Sequence, residues 1–177
     1  KDNEGKLSLL RSMSEIAGTT SLLIAAEYLS NVNSGKGLML GGITGISPTE
    51  VVVIGAGTVG EFACRTALGL GASVRVFDNS SSRLRRLQQS LTQRISTSTI
   101  QPKSLGKALR RADVAIGSLR TGEGRTPCVV SEEMVKNMKE GSVIIDVSID
   151  HGGCFETSEV TSHKSPIFVK HDVVHYC

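Results

Sequence analysis

The chain has 177 residues, 20 Lys and Arg against 17 Asp and Glu, 39% hydrophobic residues and 3% aromatics, enough for one domain with a sizeable core. A formal charge of +3 is too mild to single out nucleic acid or an anionic membrane as the partner. No apolar run approaches the ~18 residues of a membrane span, and the opening KDNEGKLSLLRSMSE lacks the apolar segment of a secretory signal.

In chain order, residues 13–32 predict a helix, with Ile16, Thr20, Leu23 and Ala26 near helical spacing and Ser14 as its N-cap. Glycines from Gly35 to Gly45 mark an irregular stretch that ends at Pro48. Val51–Ile54 is a continuous apolar run, as in a strand buried on both faces. A helix over Thr58–Leu70 follows, ended by Gly71. Ser73–Phe77 is a second strand, Asp78–Ser82 a turn, and Arg83–Leu91 a helix. Arg94–Thr99 is a weakly patterned third strand, and Ser104–Arg111 a short helix. Asp113–Gly117 is a fourth strand, residues 119–127 a loop, and Ser131–Met138 a helix capped by Ser131. Ser142–Ile149 reads as a fifth strand and Ile167–Lys170 as a sixth. This alternation predicts an α/β, doubly wound, mostly parallel sheet with helices on both faces. Cys64, Cys128, Cys154 and Cys177 form no CxxC pair. They read as small apolar core residues, reduced, in a cytoplasmic protein.

The chemistry concentrates in Val51-Val-Val-Ile-Gly55-Ala-Gly57-Thr-Val-Gly60. A bare GxGxxG is weak evidence, but this one leaves a buried strand and opens a helix. Gly55 permits the tight turn, Gly57 lets backbone approach a pyrophosphate, and Gly60 lets the helix pack on the strand. Thr58 and Val59 place free amides at the helix start, where the dipole favours phosphate. Asp78, 18 residues past Gly60, ends the second strand, as required of the acid that holds a ribose diol. A carboxylate there repels a 2′-phosphate, so the cofactor expected is NAD. Arg83 stands where an arginine can contact the cofactor; Arg85 and Arg86 read as a solvated helix face.

Beyond the fingerprint, the chain resembles the nucleotide-binding domain of the alanine dehydrogenase family, which is related to the NAD-binding component of nicotinamide nucleotide transhydrogenases. The match rests on Met13-Ser-Glu-Ile-Ala-Gly18, Gly37-Leu-Met-Leu-Gly-Gly42, the fingerprint, Ala112–Gly117, Asp146–Ser158 and Val173–Cys177. It covers nearly the whole chain, and the stretch Ile149–Ser158 points to the alanine dehydrogenase branch. The resemblance implies a Rossmann fold and one NAD(H)-binding domain over 1–177, excised from a larger two-domain dehydrogenase. It implies cofactor contacts from Ser14, Thr58, Val59, Asp78, Arg83, Leu119, Val147, Ser148, Ile149 and Asp150, with Arg120 following Leu119. Asp150 takes the place of the family's catalytic aspartate. The family's substrate-gripping Arg and Lys and its catalytic His fall outside these residues; the four histidines here read as structural or surface residues. The implied partners are NAD(H), a small amino-acid or 2-oxo-acid substrate through the other domain, and further copies of the chain in a homo-oligomer. Three positions depart from the family's pattern: His151 for Gln, Glu159 for Arg and Ile100 for Ser. The parent activity so implied is oxidative deamination of L-alanine. A transhydrogenase component and a non-catalytic nucleotide module are the alternatives.

Overall fold

The computed structural model describes residues 2–120 and 124–177, and the backbone alone for residues 2–8. Seven strands make one sheet: β1 (Glu50–Ile54), β2 (Ser73–Phe77), β3 (Ser96–Ser98), β4 (Val114–Gly117), β5 (Val143–Asp146), β6 (Phe168–Lys170) and β7 (Val173–Tyr176). Their order is β3-β2-β1-β4-β5-β7-β6. All neighbours run parallel except β6, which pairs antiparallel with β7 at the edge. The helices are α1 (Asp2–Leu29), α2 (Thr58–Gly69), α3 (Ser81–Ser90), α4 (Pro102–Leu109) and α5 (Glu132–Lys136).

The central strands carry apolar side chains on both faces, so each face needs cover. On one face Leu22 of α1, Ala63 and Ala67 of α2 and Leu87 of α3 pack with Val51, Val53, Val114 and Ile145. On the other, Leu105 and Leu109 of α4 and Val135 of α5 pack with Val52, Ile54, Ala115 and Ile144. The doubly wound architecture expected from the sequence is therefore present. The chain runs from β1 outward through β2 and β3, then crosses to β4 on the other side of β1. That reversal opens a crevice at the C-terminal ends of β1 and β4, where open α/β sheets bind ligands.

The structure corrects several local expectations. Helix α1 begins at Asp2, so Ser14 is not its N-cap. Ser14 lies mid-helix and its Oγ donates to the Leu10 carbonyl at 2.9 Å. β5 ends at Asp146 rather than Ile149, because the Asp146 carboxylate accepts the Ser148 N–H two residues on and turns the chain. Ile149–His151 then forms a 3₁₀ turn. The tail Val173–Tyr176, matched above only by resemblance, is a sheet strand. It is joined to β6 by His171-Asp172, both at positive φ, a two-residue hairpin turn. The remaining helix ends agree with expectation to within two residues, and the end of α1 to within three. Part of the expected loop over 119–127 lies outside the described residues.

The N-terminal ends of the strands, away from the crevice, are tied by one carboxylate. Asp113 accepts the Glu50 N–H at 2.9 Å and ammonium hydrogens of Lys36 and Lys139, each at 3.0 Å. Burial alone would raise this carboxyl, but the Glu50 amide, Lys139 and Lys36 outweigh it and hold it below the usual range. Its contribution to stability is then full above pH ~4 and is lost as pH falls through the lowered folded value. Asp113→Ala is expected to cost about 3 kcal/mol in urea unfolding at neutral pH and to flatten the acid limb of the stability profile. A variant as stable as the parent at both pH 7 and pH 4 would contradict this role.

Candidate functional site

The turn from β1 into α2 is built by contacts that leave no room for side chains. Gly55 adopts φ +114°, and a Cβ there would meet the Ser118 carbonyl at 2.6 Å. A Cβ on Gly60 would lie 1.9 Å from the Gly55 carbonyl oxygen. A Cβ on Gly18 would lie 2.3 Å from the Val59 carbonyl oxygen, so α1 crosses the first turn of α2 at a glycine. That crossing brings Ser14, one helical turn back, to the rim of the crevice. Gly57 is the helix N-cap residue and supplies no side-chain cap. The amides of the first turn are left for another acceptor.

Asp78 is only 3% exposed and braces this turn. Its Oδ2 accepts the Ala56 N–H at 2.8 Å and its Oδ1 accepts the Ser80 N–H at 2.7 Å. The Arg83 guanidinium stands 3.9 Å from Oδ2. A carboxylate has about four lone-pair sites, so acceptor capacity remains after these bonds.

In front of the turn lies a cavity of about 430 Å³, lined by Ser14, Gly57, Thr58, Val59, Arg83, Arg86, Ser118 and Arg120. A second, of about 210 Å³, is lined by Met13, Ser14, Val59, Leu119, Val147, Ser148, Asp150 and His151 among others. They share Ser14, Val59, Ser118 and Arg120 and so form one continuous cleft along the C-terminal ends of β1, β4 and β5. Gly55 and Gly60 lie buried beneath it. Of the expected contacts, Asp78 and Ile149 line neither cavity, and Asp78 lies buried behind the glycine turn. Ile149 lines an adjoining apolar pocket of about 190 Å³ with Ile24, Tyr176 and Cys177, which meets the cleft at Ala17 and Val147.

The loop after β5 is held from below by Asp146, which is 1% exposed. Besides the Ser148 amide, its carboxylate accepts the Cys154 N–H at 3.0 Å and the Ser158 hydroxyl at 2.7 Å. Burial raises its carboxyl above the usual range despite the opposing bonds from Ser158, Cys154, Ser148 and Phe155. This bracket fixes Val147 and Ser148 at the cleft wall and leaves Asp150 exposed on its rim. The 3₁₀ turn carrying Asp150 has no side-chain cap. The Ser148 Oγ is buried and lies beside the Cys154 thiol, behind the cleft wall.

Two histidines are structural. His175 is fully buried, stacked on Phe168 at 4.7 Å, with Nδ1 donating to the Val173 carbonyl at 2.9 Å and Nε2 accepting from the Thr157 hydroxyl at 2.8 Å. Burial lowers its basicity. The His171 Nε2 bonds the Glu132 carboxylate at 2.6 Å. His151 lines the cleft. All four cysteines are free; Cys64 and Cys154 are core residues as expected, and burial pushes the Cys64 thiol up to about 12. Cys128 is exposed, contrary to expectation, because the segment before α5 runs over the surface. Sequence reasoning missed Ser118 and the cleft-facing position of Arg86. Ser118 stands just past β4 as Gly55 stands just past β1, and its Oγ donates to the Ile54 carbonyl at 3.1 Å. Arg86 lies three residues after Arg83 on one helix, a spacing that puts both on one face.

A family model described as alanine dehydrogenase/PNT, C-terminal domain, matches residues 21–177. The alanine dehydrogenase of Mycolicibacterium smegmatis is 43% identical over 98% of this chain and 47% of its own length. That of Staphylococcus epidermidis strain RP62A is 41% identical, with the same coverage of 98% and 47%. The chain thus spans about half the length of the curated relatives it matches. Among solved structures, an L-alanine dehydrogenase matches with TM-score 0.90 at 39% identity, over 95% of this chain and 46% of that one. A transhydrogenase from Sinorhizobium meliloti matches with TM-score 0.77 at 23% identity, over 94% and 47%, a likeness of fold alone.

The 1.9 Å approach at Gly60 is to backbone, which cannot swing aside. Gly60→Ala is expected to destabilise the chain by about 2–3 kcal/mol, the scale of a strained, overpacked core. Thermal unfolding measures it, and an unchanged midpoint would show that α2 is free to shift.

Proposed function

The chain belongs to the alanine dehydrogenase/PNT family through its C-terminal domain, and from that premise we propose that it is the NAD-holding half of an alanine dehydrogenase-like oxidoreductase. The observation that carries this reading is the continuous cleft, which runs from uncapped amides at the start of α2 to the exposed carboxylate of Asp150. Gly55, Gly57 and Gly60 let the first turn of α2 approach a diphosphate, with Thr58 and Val59 at its amides. Asp78 offers its unused lone pairs to the adenosine ribose, and Arg83 lies beside it. Ser14, Leu119, Val147 and Ser148 border the nicotinamide end. Ile149 supports that wall from behind, facing α1.

In the whole protein the proposed reaction converts L-alanine, NAD and water to pyruvate, ammonia and NADH. NAD, when bound, supplies the hydride acceptor. Asp150 holds or moves a proton at its carboxylate, in acid/base steps or in orienting the attacking water. Its freedom from hydrogen bonds within the turn supports that role over capping. The small amino-acid or 2-oxo-acid substrate is gripped by residues outside this chain. A homo-oligomer belongs to the same reading. Leu9, Met13, Ile16 and Leu23 of α1 are more than half exposed, apolar surface that a partner segment or subunit would cover. Among the described residues no helix is long and apolar enough to cross a membrane.

Calorimetry on this chain is expected to give tighter binding for NAD than NADP, and Asp78→Ala should shrink the gap. Tighter NADP binding by the unaltered chain would overturn the cofactor assignment. In the full-length protein, Asp150→Asn should leave the melting temperature and NAD affinity nearly intact while lowering turnover by ~10²-fold or more. Lower stability with turnover per folded molecule preserved would instead make Asp150 a turn-capping residue.

A further inference from the structure

The larger part of the cleft is lined by three arginines and no carboxylate: Arg83, Arg86 and Arg120. They come from two elements. Arg83 and Arg86 share one face of α3, and Arg120 follows β4. Arg83 already lies against Asp78, 3.9 Å away. Arg86 and Arg120 have no ion-pair partner among the described residues, and both are exposed on the cleft wall. Three guanidinium groups lining one cleft give it a positive potential that attracts an anion. The cavity that holds them also contains Thr58 and Val59, the first residues of α2. Helix amides and fork-shaped guanidinium groups both recognise phosphate oxygens.

We propose that Arg86 and Arg120 form a guanidinium clamp on the diphosphate of the dinucleotide, adding two positive charges to the helix amides that hold its two negative ones. The inference rests on the NAD-binding reading above and deepens it. Arg83 is the ribose-side arginine, screened by Asp78, and the clamp is distinct from it. The 2′-position of the ribose lies on the Asp78 side, so the clamp binds the phosphates common to NAD and NADP and does not choose between them. Arg120 lines both parts of the cleft and therefore grips the diphosphate at its nicotinamide end.

The test is titration of the full chain, Arg86→Gln, Arg120→Gln and the double variant with NADH, NADPH, ADP and adenosine, read by fluorescence or calorimetry. Both side chains are exposed, so the variants are expected to keep the parent melting temperature. Each single variant should weaken NADH and ADP binding about tenfold, the scale of a charge-assisted hydrogen bond. Adenosine, which has no phosphate, should bind all four proteins alike. The fall in NADH affinity with added salt should be shallower in the double variant, and Arg→Lys at either position should recover part of the loss. NADH binding within twofold of the parent in the double variant overturns the clamp. So does an equal loss for adenosine, or a loss confined to NADPH, which would make the pair a 2′-phosphate site. A parent chain that binds neither NADH nor ADP overturns the NAD-binding reading itself, and the clamp with it.

Discussion

The carbonyl of Gly55 and the α-carbon of Gly60 touch, and the rest of the site is arranged around that contact. Helix α2 can start at the mouth of β1 only because nothing projects from Gly60. With α2 in place, its first turn faces the crevice between β1 and β4, and its Val59 carbonyl sets how closely α1 passes. The approach of α1 in turn decides that Met13, Ser14 and Ala17 border the cleft. A methyl group at one position would displace a helix, a second helix and the rim of a cavity together, because packed elements transmit shifts rather than absorb them.

Two buried carboxylates finish the same edge in the same way. Asp78 at the end of β2 holds the Ala56 amide of the glycine turn, and Asp146 at the end of β5 holds the Ser148 and Cys154 amides of the next loop. Each anchors one bank of the cleft to a strand. Burying a charge is costly unless it is hydrogen-bonded, and at both positions backbone amides supply bonds, joined at Asp146 by the Ser158 hydroxyl. Rigidity at the strand ends is what allows the exposed groups, Asp150 on one bank and Arg86 and Arg120 on the other, to be held at defined places. At the opposite end of the sheet Asp113 does comparable work with lysines, away from any ligand.

The sheet and the fingerprint were legible because they depend on local pattern. Val51–Ile54 is a run that only a two-faced strand accommodates, and the glycine spacing has one common structural use. What escaped the sequence depends on contacts between distant residues or on a single side-chain bond. The end of β5 is set by the Asp146 carboxylate capturing an amide two residues on, against an apolar pattern that continues to Ile149. The first turns of α1 carry few apolar residues at helical spacing, so the periodic pattern that marks a helix opens only near Ser14. β7 joins the sheet through a hairpin whose turn, His171-Asp172, carries no glycine or asparagine to mark it. The position of Arg86 follows from how α3 rolls on the sheet, with Leu84 and Leu87 turned toward the core.

The central claim is that a dinucleotide lies along the C-terminal edge of β1, β4 and β5. It is tested most directly by recording backbone amide shifts of the ¹⁵N-labelled chain during titration with NAD. The account predicts the largest changes at Gly57–Gly60, Leu119–Arg120 and Val147–Asp150, with Lys36 and Asp113 unmoved. A competing cavity of about 410 Å³ lies between α4 and α5, lined by Lys103, Lys107, Arg110 and Met134. Changes concentrated there, or none anywhere at millimolar NAD, would contradict the account.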